Sequence, residues 1–312
     1  MKRFWLFVLC AGSLQTALGW GQKGHDVTAY IAECNLTPEA AQEIDRVLDG
    51  HSPVYYANWL DSASHTPEYA YTRTWHYANI DEGYTYDTMP KEPAGDVVAA
   101  VNDLVAELKS KELSAEKEAE ALKMLIHLVG DMHCPMHSGH RSDRGGNTIP
   151  ITFFGKPANL HSIWDTSLPE AAHKWSYTEW QNQIDRLSDD EATLIESGTP
   201  KEWFMETAEL CKGIYEATPE GTNVSYDYID RFTTLIEQQF VKGGHRLAKL
   251  LNEIYEERFS PSNAGRPAVQ AGRPVVSECV AILPDRRRTA RARAIPARPT
   301  RRGTDRDRTP RR

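Results

Sequence analysis

The sequence predicts an all-α fold, and three observations carry that expectation. Apolar residues recur at three- and four-residue spacing over Glu39–Leu48, Val97–Lys109, Ala115–Val129 and Tyr226–Phe259, the period of helices with one buried face. The run Thr199-Pro200-Lys201-Glu202 has the form of a helix start, with a capping hydroxyl, a proline at the first helical position and an acid in the first turn. Strand signals are few, and a short hairpin or extended segment is expected only near 147–155, which holds Ile149, Ile151, Phe153 and Phe154. No internal repeat is present. A single helical domain over residues 20–259 follows.

The ends of the chain are different in kind. Residues 1–19 read as a secretory leader: Lys2 and Arg3 give the positive start, Phe4–Leu9 the apolar core, and Ala17-Leu18-Gly19 the small-x-small pattern before a cleavage point. The stretch is too short, and too broken by Gly12, Ser13, Gln15 and Thr16, to span a bilayer. The expected location is therefore periplasmic or extracellular, with no stable membrane association. Residues 260–312 lose all hydrophobic periodicity and turn to Arg, Pro, Ala and Thr, a composition that cannot bury enough apolar area to order itself.

Composition narrows the function classes. Hydrophobic content of 40% and charged content of 26% over 312 residues exclude a collagen-like, wholly disordered or polytopic membrane chain. The net charge of −8 hides a split, because residues 263–312 hold fourteen arginines against four acids. Residues 20–262 carry 20 basic and 40 acidic side chains. A body that acidic does not hold nucleic acid by a general basic surface, so action on phosphates requires bound cations. Cys34, Cys134 and Cys211 are too few and too scattered for a disulfide scaffold, although a Cys34–Cys211 bridge stays open.

The chemistry concentrates in the histidines. Four of the eleven lie in His127-Leu-Val-Gly-Asp131-Met-His133-Cys-Pro-Met-His137-Ser-Gly-His140. His127 and Asp131, four residues apart, share one helix face, and His161-Ser-Ile-Trp-Asp165 repeats that spacing. Imidazole nitrogen with carboxylate oxygen is the mixed donor set that suits zinc at a hydrolytic site. Asp61 and His76 add donors beside aromatics, and cleavage after Gly19 would expose the Trp20 amine and carbonyl five residues before His25. An α-amino group has a pKa near roughly 7.7–8.0 and can give up its proton to a metal.

In order, Trp20-Gly…Gly24-His25, Trp59-x-Asp61, His76-Tyr77, His127-x-x-Gly-Asp131-x-His-x-Pro-x-His137, Asp143-x-Gly-Gly-Asn147 and Asn159-Leu-His161-x-x-Trp-Asp165 resemble the zinc-dependent single-strand-specific nucleases, which also act as 3′-nucleotidases. The resemblance covers about residues 20–259 and implies the helical fold that those nucleases share with zinc phospholipase C, built around a trinuclear zinc cleft. It implies three Zn2+ ions per chain: one on Asp61, His76, His127 and Asp131; a neighbour on the Trp20 amine and carbonyl, His25 and the bridging Asp131; and a third on His137, His161 and Asp165. It further implies an endonuclease that cuts single-stranded RNA and DNA to 5′-phosphate products, takes 3′-nucleotides as substrates and works as a monomer. Tyr77 and Asn147 are candidate substrate contacts, and Asp81 a candidate acid near the attacking water. Ser64 occupies the position at which many relatives place a phosphate-pairing Arg. The same ligands also fit a zinc phospholipase C acting on lipid headgroups, or a metal-binding secreted protein without turnover. Asp165 and Gly145-Gly146-Asn147 favour the nuclease side.

Overall fold

The computed structural model describes residues 20–259 apart from Lys111; the expected leader and the arginine-rich tail lie outside the described residues. From Trp20 the chain turns at once into α1 (Gln22–Cys34), then α2 (Pro38–Val47) and the short α3 (Pro53–Tyr56) and α4 (Trp59–Ala63). A packed helix pair follows, α5 (Val97–Ser110) and α6 (Ala115–Met132). After the small sheet come α7 (Leu160–Ser162), α8 (Leu168–Ala172), α9 (Tyr177–Ile184), α10 (Asp189–Glu196), α11 (Pro200–Ala217) and α12 (Tyr226–Phe259). The 34-residue α12 is the spine, packing against α1, α2, α6, α8 and α10.

Local chemistry sets the helix starts. Thr37, Ser114 and Thr199 each accept a backbone N–H from the first turn with the side-chain oxygen. Ser176 with Glu179, and Ser188 with Glu191, form reciprocal capping boxes at α9 and α10. Each such cap is worth about 1 kcal/mol, which matters most for short helices with few buried residues.

The sheet is small. β1 (Pro150–Phe153) and β2 (Lys156–Asn159) form an antiparallel hairpin with Pro150 opposite Asn159 and Phe153 opposite Lys156. Phe154 and Gly155 both have positive φ, the two-residue turn whose twist matches flanking strands. The hairpin therefore runs past the expected 147–155 stretch, and β3 (Asn223–Val224) adds in parallel to β1, a long-range pairing with no local signal.

Two apolar clusters divide the interior. One joins α2, α5, α6 and the end of α12 through residues such as Ile44, Leu104, Leu122, Leu125 and Leu251. The other gathers Trp20, Trp164, Trp180, Ile214 and Phe240, with Phe240 edge-on to both Trp20 and Trp180 at 5.0 and 5.3 Å. Among the described residues no helix is long and apolar enough to cross a membrane. Cys211 is a free, buried thiol that donates to the Pro135 carbonyl at 2.9 Å, so the Cys34–Cys211 bridge is not formed.

One polar clasp holds α12 to its neighbours. Buried His245 places Nε2 2.8 Å from Asp185 Oδ1 and Nδ1 3.2 Å from Glu196 Oε1. Burial alone would lower the His245 pKa, but both carboxylates outweigh it and raise it above 6.5. Burial would likewise raise Asp185, yet the bond to His245 holds it below 3.8. The His245 contribution is therefore complete below pH 6.5 and lost as pH rises through its raised folded pKa. The Asp185 contribution is complete above pH 3.8 and lost as pH falls through its lowered one. Thermal melts of wild type and His245→Gln against pH should show the largest gap between these values, closing above neutrality. A gap that does not change with pH would contradict a charged clasp.

Candidate metal centre

Helix α6 is the platform. His127 and Asp131 lie four residues apart on its buried face, and both are fully inaccessible. Asp131 sits at the hub. Its Oδ2 is 2.9 Å from His76 Nδ1 and 3.1 Å from His127 Nε2, while its Oδ1 is 3.1 Å from Trp20 N, 3.3 Å from His25 Nε2 and 3.6 Å from His137 Nδ1. Asp61, from α4, approaches His127 Nε2 at 3.4 Å and His76 Nδ1 at 3.8 Å, and its side chain keeps 31% exposure. His137, on the turn after α6, places Nε2 3.7 Å from Asp165 Oδ1, and the His161 ring stacks on His137 with centroids 5.2 Å apart. All nine expected residues thus converge, drawn from Trp20 and α1, α4, the segment that carries His76, α6 and the turn after it, and the segment around α7.

Backbone geometry makes the convergence possible. A Cβ on Gly130 would lie 2.9 Å from His25 Nδ1, so any side chain there would drive His25 out of the cluster. Gly145, at φ 64°, leaves no room for a Cβ beside the Met136 carbonyl at 2.4 Å, and its own carbonyl takes the His161 Nδ1 bond at 2.8 Å. The same device recurs: His127 Nδ1 bonds the Ala57 carbonyl at 2.7 Å and His137 Nδ1 the His76 carbonyl at 2.6 Å. Each contact places hydrogen on Nδ1 and turns Nε2 inward, where the neutral ring offers its lone pair to a cation.

The electrostatics are those of a site built for cations. Burial would raise the Asp131 pKa, but His127 and His137 hold it well below its ordinary value. Asp61 is lowered in the same way by His127, against its burial. His25, His76 and His161 are lowered chiefly by burial and so stay neutral, whereas Asp131 and its fellow carboxylates raise His127 and His137 against burial. Both ring nitrogens of His25, His76 Nε2, His137 Nε2, His161 Nε2, Asp61 Oδ1 and Asp165 Oδ1 are buried without a hydrogen-bond partner. An unpaired buried polar atom costs roughly 1–3 kcal/mol, and seven at one place are tolerable only where something else pairs with them. His25–His127–Asp131 and Asp61–His76–His127 each hold three donor atoms within 4.8 Å, as does Cys134–His137–Asp165. These residues fit a set of metal ions by donor type, spacing and unsatisfied lone pairs.

A model of the S1/P1 Nuclease family matches residues 20–256. The chain belongs to the S1/P1 nuclease family. Endonuclease 2 of Arabidopsis thaliana is 28% identical over 268 residues, covering 76% of this chain and 91% of that protein. Nuclease P1 of Penicillium citrinum is 28% identical over 270 residues, covering 76% and 98%. Nuclease S1 of Aspergillus oryzae is 27% identical over 270 residues, covering 77% and 93%. The all-α fold expected from the sequence is that of this nuclease family.

The remaining expected residues lie at the margin. Half-buried Tyr77 follows His76 directly, and its carbonyl accepts the Val97 N–H at 3.2 Å. Asn147 donates Nδ2 to the Arg144 carbonyl at 2.9 Å and closes the turn that carries Gly145. Asp81 accepts the Ser142 N–H and hydroxyl at 3.0 and 2.9 Å, and these bonds lower its pKa against burial. Its Oδ1 is thus engaged as an acceptor, which suits a loop anchor better than a proton donor. Buried Ser64 donates to the Asp61 carbonyl at 3.2 Å, and its own carbonyl holds Arg73 Nε at 3.0 Å, so a guanidinium still lies beside this segment.

Reading the sequence missed the supports. Tyr215 donates to Asp143 Oδ1 at 2.9 Å, accepts the His140 N–H at 3.0 Å and stacks on the His140 ring, tying the glycine turn to α11. His133 bonds the Val129 carbonyl and accepts from Arg246 at 3.1 Å; burial and Arg246 push its pKa down to about 3. It is a neutral structural histidine. Adding zinc to the chelator-stripped protein should raise Tm by roughly 2–4 °C for each kcal/mol of binding linkage. Asp131→Asn should remove most of that rise; a full rise in this variant would show that Asp131 is not the hub.

Proposed function

We propose that this protein is an exported, zinc-dependent phosphodiesterase that cuts single-stranded RNA and DNA to 5′-phosphate products and hydrolyses 3′-nucleotides. The observation that carries the reading is Asp131, a buried carboxylate whose two oxygens are shared between donors on either side of it. Membership of the S1/P1 nuclease family supports the substrate class.

On this reading Asp61, His76, His127 and Asp131 hold one zinc, and the Trp20 amine and carbonyl, His25 and Asp131 a second. His137, His161 and Asp165 hold a third. When bound, zinc supplies positive charge for a phosphoryl oxygen and makes water a usable nucleophile near neutral pH. The chain does the positioning. The Ala57, His76 and Gly145 carbonyls hold His127, His137 and His161 by Nδ1 and keep their Nε2 atoms pointed inward. Partly exposed Asp61 marks the side open to solvent, and Tyr77 offers a ring on which an unstacked base rests. Asn147 acts through the glycine turn and its free amide oxygen. A duplex keeps its bases stacked and cannot present one to a recessed cluster.

The body spans residues 20–259 and acts as a monomer; the tail over 260–312 takes no part in turnover. Purified protein is expected to cut single-stranded DNA and RNA, and to release phosphate from 3′-mononucleotides, much faster than it cuts matched duplex. Equal rates would overturn the single-strand reading. Tyr77→Ala should raise KM more than it lowers kcat, by about 5- to 150-fold if stacking is worth roughly 1–3 kcal/mol per base.

Export enters the chemistry directly. An amide nitrogen has its lone pair delocalised into the carbonyl, so a chain uncleaved before Trp20 offers no amine to the ion beside Asp131. A protein that keeps one extra Met before Trp20 should bind one zinc fewer and lose most activity while its helical circular dichroism is unchanged. Equal zinc per chain and equal rates in the two forms would remove the N-terminal ligand from this account.

A further inference from the structure

Cys134 is the buried group of this centre that the proposed function leaves without a role. It is fully inaccessible and lies on the connection between α6 and the turn that carries His137. Two tight backbone bonds shape that connection, from Cys134 N to the Asp131 carbonyl at 2.9 Å and from His137 N to the Cys134 carbonyl at 3.0 Å. They wrap the chain so that Cys134 Sγ, a His137 ring nitrogen and an Asp165 carboxylate oxygen all lie within 4.8 Å of one another. His137 Nε2 and Asp165 Oδ1 are buried without hydrogen-bond partners, as is Nε2 of His161, whose ring stacks on His137. The Cys134 sulfur lies against the Met136 and His137 N–H groups, whereas the other free thiol, Cys211, donates to the Pro135 carbonyl.

Zinc–sulfur bonds of about 2.3 Å and zinc–nitrogen bonds of about 2.0–2.1 Å put tetrahedral donors roughly 3.3–3.8 Å apart. Drawing the Cys134, His137 and Asp165 donors onto one ion therefore requires movements of about an ångström, within the reach of side-chain torsions. A thiol beside imidazole and carboxylate is also the donor that a borderline-soft cation selects.

We propose that Cys134 is a thiolate ligand of the ion assigned to His137, His161 and Asp165. The proposal rests on the zinc reading above. The step is a proton exchange without redox change: the S–H proton leaves to solvent as the sulfur–metal bond forms. Two consequences follow. With Cys134 the chain would offer four donors to this ion, the number that holds structural zinc, and so would grip it more firmly than His137, His161 and Asp165 alone. The thiolate also cancels the last unit of charge that Asp165 leaves on a dication, which makes this the softest and least electrophilic position of the centre.

The test uses cobalt as a spectroscopic probe in the chain that begins at Trp20. Metal is removed with chelator, Co2+ is added, and bound cobalt per chain and the ultraviolet–visible spectrum are measured on the same sample. A thiolate-to-cobalt charge-transfer band is expected, present in Cys211→Ala and absent from both Cys134→Ser and Cys134→Ala. Those two variants should keep the visible cobalt bands of the other positions. With zinc loaded, Cys134→Ser should give up one ion to chelator at least ~10-fold faster than wild type. Three bound ions without the band, or a band that survives in Cys134→Ser, would overturn the thiolate ligand and leave the zinc reading standing. A stripped protein that takes up no cobalt and no zinc would overturn both.

Discussion

The structure depends on one unfavourable act, the burial of the Asp131 carboxylate. A charge with no exposure is tolerable only if its neighbours replace water, and Trp20 N, His76 and His127 do so at 2.9–3.1 Å, with the His25 and His137 rings at 3.3 and 3.6 Å. Much of the surrounding architecture follows. Helix α1 must bring His25 against α6, which demands Gly130; α4 must deliver Asp61; and Trp20 must sit with its indole edge-on to Phe240. The two apolar clusters carry the stability, and the polar centre lies on segments that run between them. Without cations the carboxylates are balanced only by His127 and His137, whose pKa values they raise. A dication is a better counterweight, since it also pairs with the lone pairs that a proton leaves idle.

This resolves the electrostatic contradiction of an acidic nuclease. Twice as many acids as bases on residues 20–262 repel a polyanion at long range. Local positive charge at a recessed site reverses the field only within a few ångströms, because screening is effective beyond about 10 Å. On the proposed zinc reading, affinity would be confined to the scissile phosphate and the base next to it. A fold of this charge gains selectivity for flexible, splayed strands without a basic groove.

Legibility followed physical locality. Helices α2, α5, α6 and α12 were readable because apolar periodicity reflects one buried face, and their ends agree with the sequence reading to within three residues. Helix α1 was not, because its buried face includes Gly24, His25, Thr28, Ala29 and Ala32, which are small or polar and register as no hydrophobic stripe. Helix α9 fully buries only Trp180 and α10 no residue, so neither shows an apolar stripe, and their Ser-x-x-Glu capping boxes are too short a signal to have marked them. The nine donors were legible because donor chemistry is written in residue type. Their supports were not: Tyr215 under the glycine turn and Arg246 behind His133 act across 72 and 113 residues of chain, where no local pattern marks a partner.

Those supports also show that the candidate ion positions are not independent. The segment after His76 runs along the segment after His137, with Ala78 N bonded to the His137 carbonyl and Ile80 N to the Gly139 carbonyl. The His76 carbonyl in turn orients the His137 ring. A residue that faces Asp131 through its side chain thus sets, through its backbone, the tautomer of a residue that faces Asp165. Asp131 closes the loop, since its Oδ1 faces His137 as well as His25. Residues joined in this way couple energetically rather than adding. The centre is therefore best understood as one rigid polar body, in which loss of any single donor relaxes the aim of the others.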